Sequence, residues 1–414
     1  MLFTHDNAPT VRMTAAPART RLDGVDMARG LAVLGMFVAH IGPAVINPTA
    51  GGAADFLAML SNGHASILFA TLAGVSLALL TGGDRLHQGL ELRRDRVRIG
   101  VRAVILFVLG MAMTELGVPM MVILSFYALY FLLALPFLRV RPAVLLVVAA
   151  VWAVVGPVAS FFLRTALSGE TAGGALAFTD LTSLSTAGAG IQRLLLDGAY
   201  PVLTWMPFVF VGLAVGRLDL RSTAVRLRLL VSGVVLAVVG AGGSWLALNV
   251  FGGMRALQPV LEALRPIAEQ MGKDPLDVLQ MTGFGTAPTT TPAFLLINAP
   301  HSGTSFEIVA STGAALAVLA VCLFAGDHLG KLFAPLSAVG ALALTVYVAQ
   351  GVALKILMDS AGEALMAQPW LPLLGFALVS LVFCALWRPF LGRGPLERVM
   401  HWTSTKTSNA LVRA

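Results

Sequence analysis

A chain of 414 residues that is 57% hydrophobic and 12% charged, with mean hydropathy +0.84, lies far from soluble domains, where about 25% of residues carry charge. Its net charge of +7 is dispersed through short segments between long apolar runs, with no aromatic-studded basic patch, so nucleic-acid binding is excluded as a function class. The composition predicts an all-α, polytopic transmembrane helix bundle.

In chain order, residues 1–25 read as a polar, proline-dotted cytoplasmic segment. Apolar runs of spanning length follow near 26–46, 62–82, 99–115, 119–138, 142–164, 198–216, 228–250, 304–325, 332–357 and 369–390, about ten helices in all. An even number puts both termini on one side. With that side taken as cytoplasmic, 22 of the 28 Lys and Arg residues fall on inner segments; only Arg164, Arg193, Arg255, Arg265, Lys273 and Lys355 fall outside, as the positive-inside rule requires. The pattern thus predicts a transmembrane domain over 26–391, extracytoplasmic loops 165–197 and 251–303, and a cytoplasmic tail over 392–414. Arg outnumbers Lys 24 to 4, a high-GC bacterial signature that points to a plasma (inner) membrane, with membrane lipid as a partner. A homodimer is compatible with this reading. Cys322 and Cys384 lie inside spans and read as packing residues, with neither a disulfide framework nor a metal site.

Ionisable groups inside spans cost at least about 2 kcal/mol each and are therefore functional candidates. The first span carries Asp26, Arg29 and His40. Eleven steps of 100° bring Arg29 and His40 onto one helix face, roughly 16 Å apart along the axis. Arg29 is either an inner anchor paired with Asp26 or the guard of the inner mouth. His40, deep in an apolar helix, is either a neutral imidazole satisfied by a carbonyl or a proton acceptor or acyl carrier. His64 opens the second span at the outer side and Glu115 closes the third at the same level, as rim or acceptor-binding residues. The loop 83–98, with Arg85, Arg93, Arg94, Arg96 and Arg98, faces the anionic inner leaflet and suits a polyanionic donor as well. Interhelical hydrogen bonding accounts for Ser125, Tyr127, Trp205, Tyr347 and Gln350. Gly240, Gly242 and Gly243 break the seventh run near its middle or let a neighbouring helix close in.

Farther on, Leu257, Val260, Leu261, Leu264 and Ile267 recur at helical spacing, predicting an amphipathic lid or platform on the outer interface. Thr304 and Glu307 have the spacing of a helix capping box, and His301 stands at the outer threshold of the same span. The sharper reading has His301 and Glu307 reach a cavity beside His40, with the carboxylate orienting an imidazole. Phosphate-cradling loops, nucleophile elbows and zinc helices are missing, which argues against ATP-driven transport, serine hydrolysis and zinc catalysis.

The stretch Arg21 to His40, with ten residues between Arg29 and His40, resembles the first helix of the transmembrane acyltransferase superfamily, which includes heparan-α-glucosaminide N-acetyltransferase and the YeiB-like proteins. The block Pro300 to Glu307, the run Gly212 to Leu218 ending in Gly-Arg-Leu, and Gly394-Pro-Leu-Glu397 look specifically YeiB-like. The resemblance implies transfer of an acyl group, acetyl above all, from cytoplasmic acetyl-CoA or another acyl-CoA to an extracytoplasmic sugar or lipid-linked acceptor. It implies His40 as the catalytic group, supported by Glu307 and His301, with Arg29 and Asp26 near the donor. His64, Tyr127, Trp205 and Gln350 are then the acceptor-side candidates. The lysosomal enzyme places its key histidine in the first outer loop, whereas residues 41–63 here contain none, so that role falls to His40 or His64. The rival readings are a proton-coupled transporter or flippase of a small molecule or lipid-linked sugar, using Arg29, His40 and Glu307 as its path, and a non-catalytic scaffold.

Overall fold

The computed structural model describes residues 22–167, 174–281 and 283–412, and the leading segment 1–21 lies outside the described residues. Among the described residues there are helices and turns and no strand. The helices are α1 Asp23–Ile41, α2 Pro43–Ile46, α3 Gly52–Ser61, α4 His64–Leu80, α5 Gly89–Glu115, α6 Leu124–Ala134, α7 Pro142–Ala166, α8 Leu184–Gln192, α9 Val202–Val215, α10 Thr223–Asn249, α11 Gly253–Met271, α12 Pro275–Met281, α13 Ser305–His328, α14 Ala334–Ala341, α15 Ala343–Ala367, α16 Leu371–Leu391 and α17 Pro395–Leu411.

Eight helical stretches are long and apolar enough to cross a membrane, and a ninth is the pair Leu184–Asp197 and Val202–Val215, bent by 55°. The run expected at 119–138 is a shorter apolar helix, α6 with a 3-10 turn Leu135–Arg139 behind it. One expectation is corrected. The run 332–357 is not one helix, because α14 ends at Ala341, Leu342 interrupts it, and α15 begins anew. Its fresh N-terminus is capped by Glu397, which accepts the Leu344 N–H at 2.8 Å, the Thr345 N–H at 3.1 Å and the Thr345 hydroxyl at 2.6 Å. A carboxylate on orphan helix donors is what permits a break there. Where the glycines of α10 left either a break or close packing open, α10 runs unbroken through Gly240, and that glycine lies against Ala310 of α13 where a Cβ would collide with backbone.

One contiguous apolar core joins α1, α4, α6, α9, α13 and α15, with buried Phe37, Phe126, Trp205, Phe208 and Tyr347 among its largest side chains. The cysteines Cys322 and Cys384 are buried and unpaired. A second, smaller core gathers the amphipathic stretch. Leu257, Val260, Leu261 and Leu264 of α11 turn toward Leu279, Ala287, Phe294 and Ile297, so the stripe closes a cap of its own. Buried Arg164 at the end of α7 pins that cap by donating to the Ala287 carbonyl at 2.7 Å. At the opposite end Arg217 of the Gly-Arg-Leu run donates to the carbonyls of Ala78, Thr81 and Gly83 and to the Leu138 carbonyl at 2.7 Å, tying off the C-terminus of α4.

Candidate functional site

The only polar side chains of α1 are Asp23, Asp26 and Arg29 at one end and His40 at the other. Arg29 is held from three sides: Nη1 donates to Asp26 Oδ1 at 3.0 Å and to the Gly340 carbonyl at 3.3 Å, and Nη2 donates to Ser76 Oγ at 2.8 Å. The guanidinium thus clasps α1, α4 and α14. Asp26 also lies 3.7 Å from Arg388, which reaches Asp23 at 3.3 Å. Asp23 and Arg388 line a cavity of about 440 Å³ together with Ser337, Ala338 and Pro389. Sequence reasoning counted Arg388 as a positive-inside residue only.

At the other end of α1, half-buried His40 has Nδ1 3.3 Å from Gln350 Nε2. With the amide nitrogen facing it, Nδ1 accepts and Nε2 carries the hydrogen; with the amide turned over, Gln350 Oε1 accepts from Nδ1–H and Nε2 becomes a base. Gln350 Oε1 is otherwise buried without a partner.

Above this pair lies the turn that precedes α13. The Ser302 N–H donates to the Ala299 carbonyl at 3.1 Å, which closes a turn with Pro300 second and His301 third. His301 has φ +58, the one non-glycine residue with positive φ among the described residues. A type II turn asks for glycine at that position, and a histidine there costs about 1–3 kcal/mol that the surroundings must supply. Glu307 supplies it: buried at 3% exposure, it accepts the His301 N–H and the Gly303 N–H at 2.6 Å each and the Ser302 hydroxyl at 3.2 Å. Its own N–H donates to Thr304 Oγ1 at 3.1 Å, so half of the capping box is present, and the carboxylate grips the backbone of the turn.

The His301 ring is set between Trp205, stacked at 6.0 Å, and Tyr200, edge-on at 5.7 Å, and its Nδ1 is buried without a partner. His64 lies beside it electrostatically and bonds Ser311 Oγ at 3.2 Å through Nδ1. His301 in turn acts on His40. All four tyrosines of the chain are buried next to this group. Tyr347 accepts from the Ile123 N–H at 3.1 Å and donates to the Met121 carbonyl at 3.2 Å, and Tyr130 donates to the Tyr200 carbonyl. Tyr127 stacks on Phe69 at 5.7 Å, feels both Tyr200 and Arg29, and keeps its buried hydroxyl unpartnered. Unsatisfied polar atoms on Tyr127, His301 and Gln350 are costly in a bundle interior unless a ligand or water takes them.

Among the expected residues, then, His40, Gln350, His301, His64, Trp205 and Tyr127 come together, and Glu307 joins through the backbone of the turn. Asp26 and Arg29 sit toward the other end of α1, with Arg29 within electrostatic reach of Tyr127. Glu115 is taken up elsewhere, accepting from Thr179 N–H at 3.2 Å. Tyr130 and Tyr200 were not anticipated. The pattern Ala299-Pro300-His301-Ser302 carried a signal, a proline-led turn with histidine where glycine belongs.

Burial, and then His64, push the His301 imidazole from 6.5 down to about 4. The unfolded chain therefore takes up a proton at pH values where the folded chain does not, so stability is unaffected above pH 6.5 and falls as pH drops from there toward 4. Thermal unfolding in detergent is expected to show that decline in wild type and a shallower one in His301→Asn, since asparagine tolerates positive φ.

Residues 21–245, more than half of the chain, match the family model described as heparan-alpha-glucosaminide N-acetyltransferase, catalytic, and residues 286–407 match one described as a protein of unknown function (DUF418). No curated protein matches the chain.

Proposed function

Because the chain belongs to the family of the heparan-α-glucosaminide N-acetyltransferase catalytic domain, we propose that it moves an acetyl group from acyl-CoA on the side of its termini, taken as the cytoplasm, to an acceptor on the far side of a plasma membrane. The observation that carries this reading is the join of His40, Gln350 and His301 around buried polar atoms that no protein group satisfies. A helix with a clasped arginine at one end and a free imidazole at the other suits a reaction whose donor and acceptor arrive from opposite faces.

In the proposed step an acceptor hydroxyl or amine attacks the thioester carbonyl as His40 Nε2 takes its proton. The C–S bond then breaks, and the departing thiolate of CoA receives that proton. Gln350, with its amide turned over, holds Nδ1–H and so the basic tautomer. His301, fixed by Glu307 and framed by Trp205 and Tyr200, faces the acceptor side with His64. The donor enters at the end of α1 that carries the Asp26–Arg29 pair, where Asp23 and Arg388 line a cavity. Gln350→Leu is expected to lower kcat by about 10-fold to 100-fold with little change in KM, because it frees the tautomer without touching a binding group.

The test is purified protein in liposomes given acetyl-CoA and glucosamine, with free CoA and N-acetylated product measured together. A wild type that releases no CoA above the protein-free rate rejects the proposal. A transporter or flippase is the second reading, favoured by the 55° bend before α9 and the break at Leu342, since discontinuous helices are common at transport sites. Uptake driven by a proton gradient, with no thioester cleavage, decides for it.

A further inference from the structure

Arg94, Arg98 and Arg102 recur every four residues on α5, which places them on one helix face. Helix α17 packs along that face in the opposite direction and answers the first two. Arg94 Nε donates to the Val412 carbonyl at 3.3 Å, and Arg98 Nε donates to Ser408 Oγ at 3.3 Å. The third rung is unanswered: Arg102 Nε is buried and reaches no acceptor. Arg98, Arg393 and His401 instead crowd the same place, each of the two arginines acting on Arg102, and all three arginines acting on His401. Burial, and then those charges, push the His401 imidazole below its ordinary value. The carboxylate that acts on Arg102 is Asp95, already bonded to His87 at 2.6 Å and Arg98 at 3.2 Å. Arg102 therefore has two guanidinium neighbours and, to offset them, a carboxylate that is already bonded twice, and like charges so close call for an anion.

The surroundings say which anion. α5 changes character at Arg102, since Val104 and Val108 beyond it are 62% and 46% exposed. Phe390, at 83%, closes α16 just ahead of Arg393. The exposed side of α17 carries Val399 and Trp402, with Lys406 Nζ 4.7 Å over the Trp402 ring, a pairing suited to the headgroup layer. Guanidinium groups thus meet apolar helix surface at one level. We propose that Arg98, Arg102 and Arg393, with His401, bind the phosphate of an anionic phospholipid in the leaflet on the side of the termini. The phosphate fills the third rung by accepting from Arg102 and Arg393, and the acyl chains lie along Phe390 and the half-exposed Ile105 and Leu109, which share the Arg102 face of α5.

The experiment titrates phosphatidylglycerol, phosphatidylcholine and inorganic phosphate separately into the detergent-solubilised full chain, reading retained lipid by native mass spectrometry and thermal shift in parallel. Wild type is expected to retain phosphatidylglycerol in preference to phosphatidylcholine. Arg393→Gln, at an exposed position that folding tolerates, is expected to weaken retention about fivefold, and Arg102→Gln with Arg393→Gln correspondingly more. Arg96→Gln, on the exposed opposite side of α5, is expected to leave it unchanged. Equal retention by wild type and Arg393→Gln overturns the site. A thermal shift from inorganic phosphate alone, with no lipid retained, overturns the lipid assignment in favour of a soluble phosphate.

Discussion

His40→Ala is expected to reduce acetyl transfer by about 10²–10⁴-fold, the range of a positioned general base, while leaving the folded protein almost as stable as wild type. Both halves follow from its surroundings. The ring makes one side-chain hydrogen bond, at 3.3 Å to Gln350, and it keeps part of its surface open, so little packing is lost with it. Its chemistry has no substitute nearby, because His64 is bonded to Ser311 and His301 is held in its turn. The decisive measurement is CoA release beside the melting temperature, on the same preparation. Matching release by variant and wild type would remove His40 from the reaction, whereas a variant that no longer folds would show the imidazole to be a structural group.

Glu307→Ala should have the largest effect on stability, about 3–5 kcal/mol, since it strands the buried His301 and Gly303 N–H groups without an acceptor and removes one partner of the Ser302 hydroxyl. It also removes what keeps a histidine at φ +58, so the turn relaxes and His301 leaves its place between Trp205 and Tyr200. Glu307→Gln keeps one oxygen but turns an N–H toward donors, and is expected to fall between alanine and wild type. Circular dichroism during heating, with size-exclusion profiles taken before and after, reads the loss. A Glu307→Ala protein melting within a degree of wild type would mean that the carboxylate does not hold the turn.

The spans were legible because lipid demands long apolar runs, and ten expected runs each meet a helical stretch. What escaped was short-range in space and long-range in sequence. No periodicity announces that Leu342 interrupts a span, since the donors freed there are satisfied by Glu397, more than fifty residues later. The glycines of α10 allowed either a break or close packing, and Gly240 set against Ala310 decides for packing. Arg29 and His40 were singled out for sharing a face, and the structure shows how differently that face is used: one end is tied to Asp26, Ser76 and Gly340, the other keeps a free nitrogen. The tyrosines were invisible as a group because Tyr127, Tyr130, Tyr200 and Tyr347 lie on three separate stretches, and an isolated tyrosine in a span reads as an ordinary hydrogen-bonding residue.

Glu397 belongs to the last helix of the chain, yet the half-span it secures carries Gln350, only about 8 Å along the axis from Thr345. The helix that carries Glu397 is in that sense a mechanical linkage to the imidazole in the bundle interior. Shortening or tethering the final twenty residues would be felt at His40 as a change in ring orientation, with no residue of the reaction centre altered.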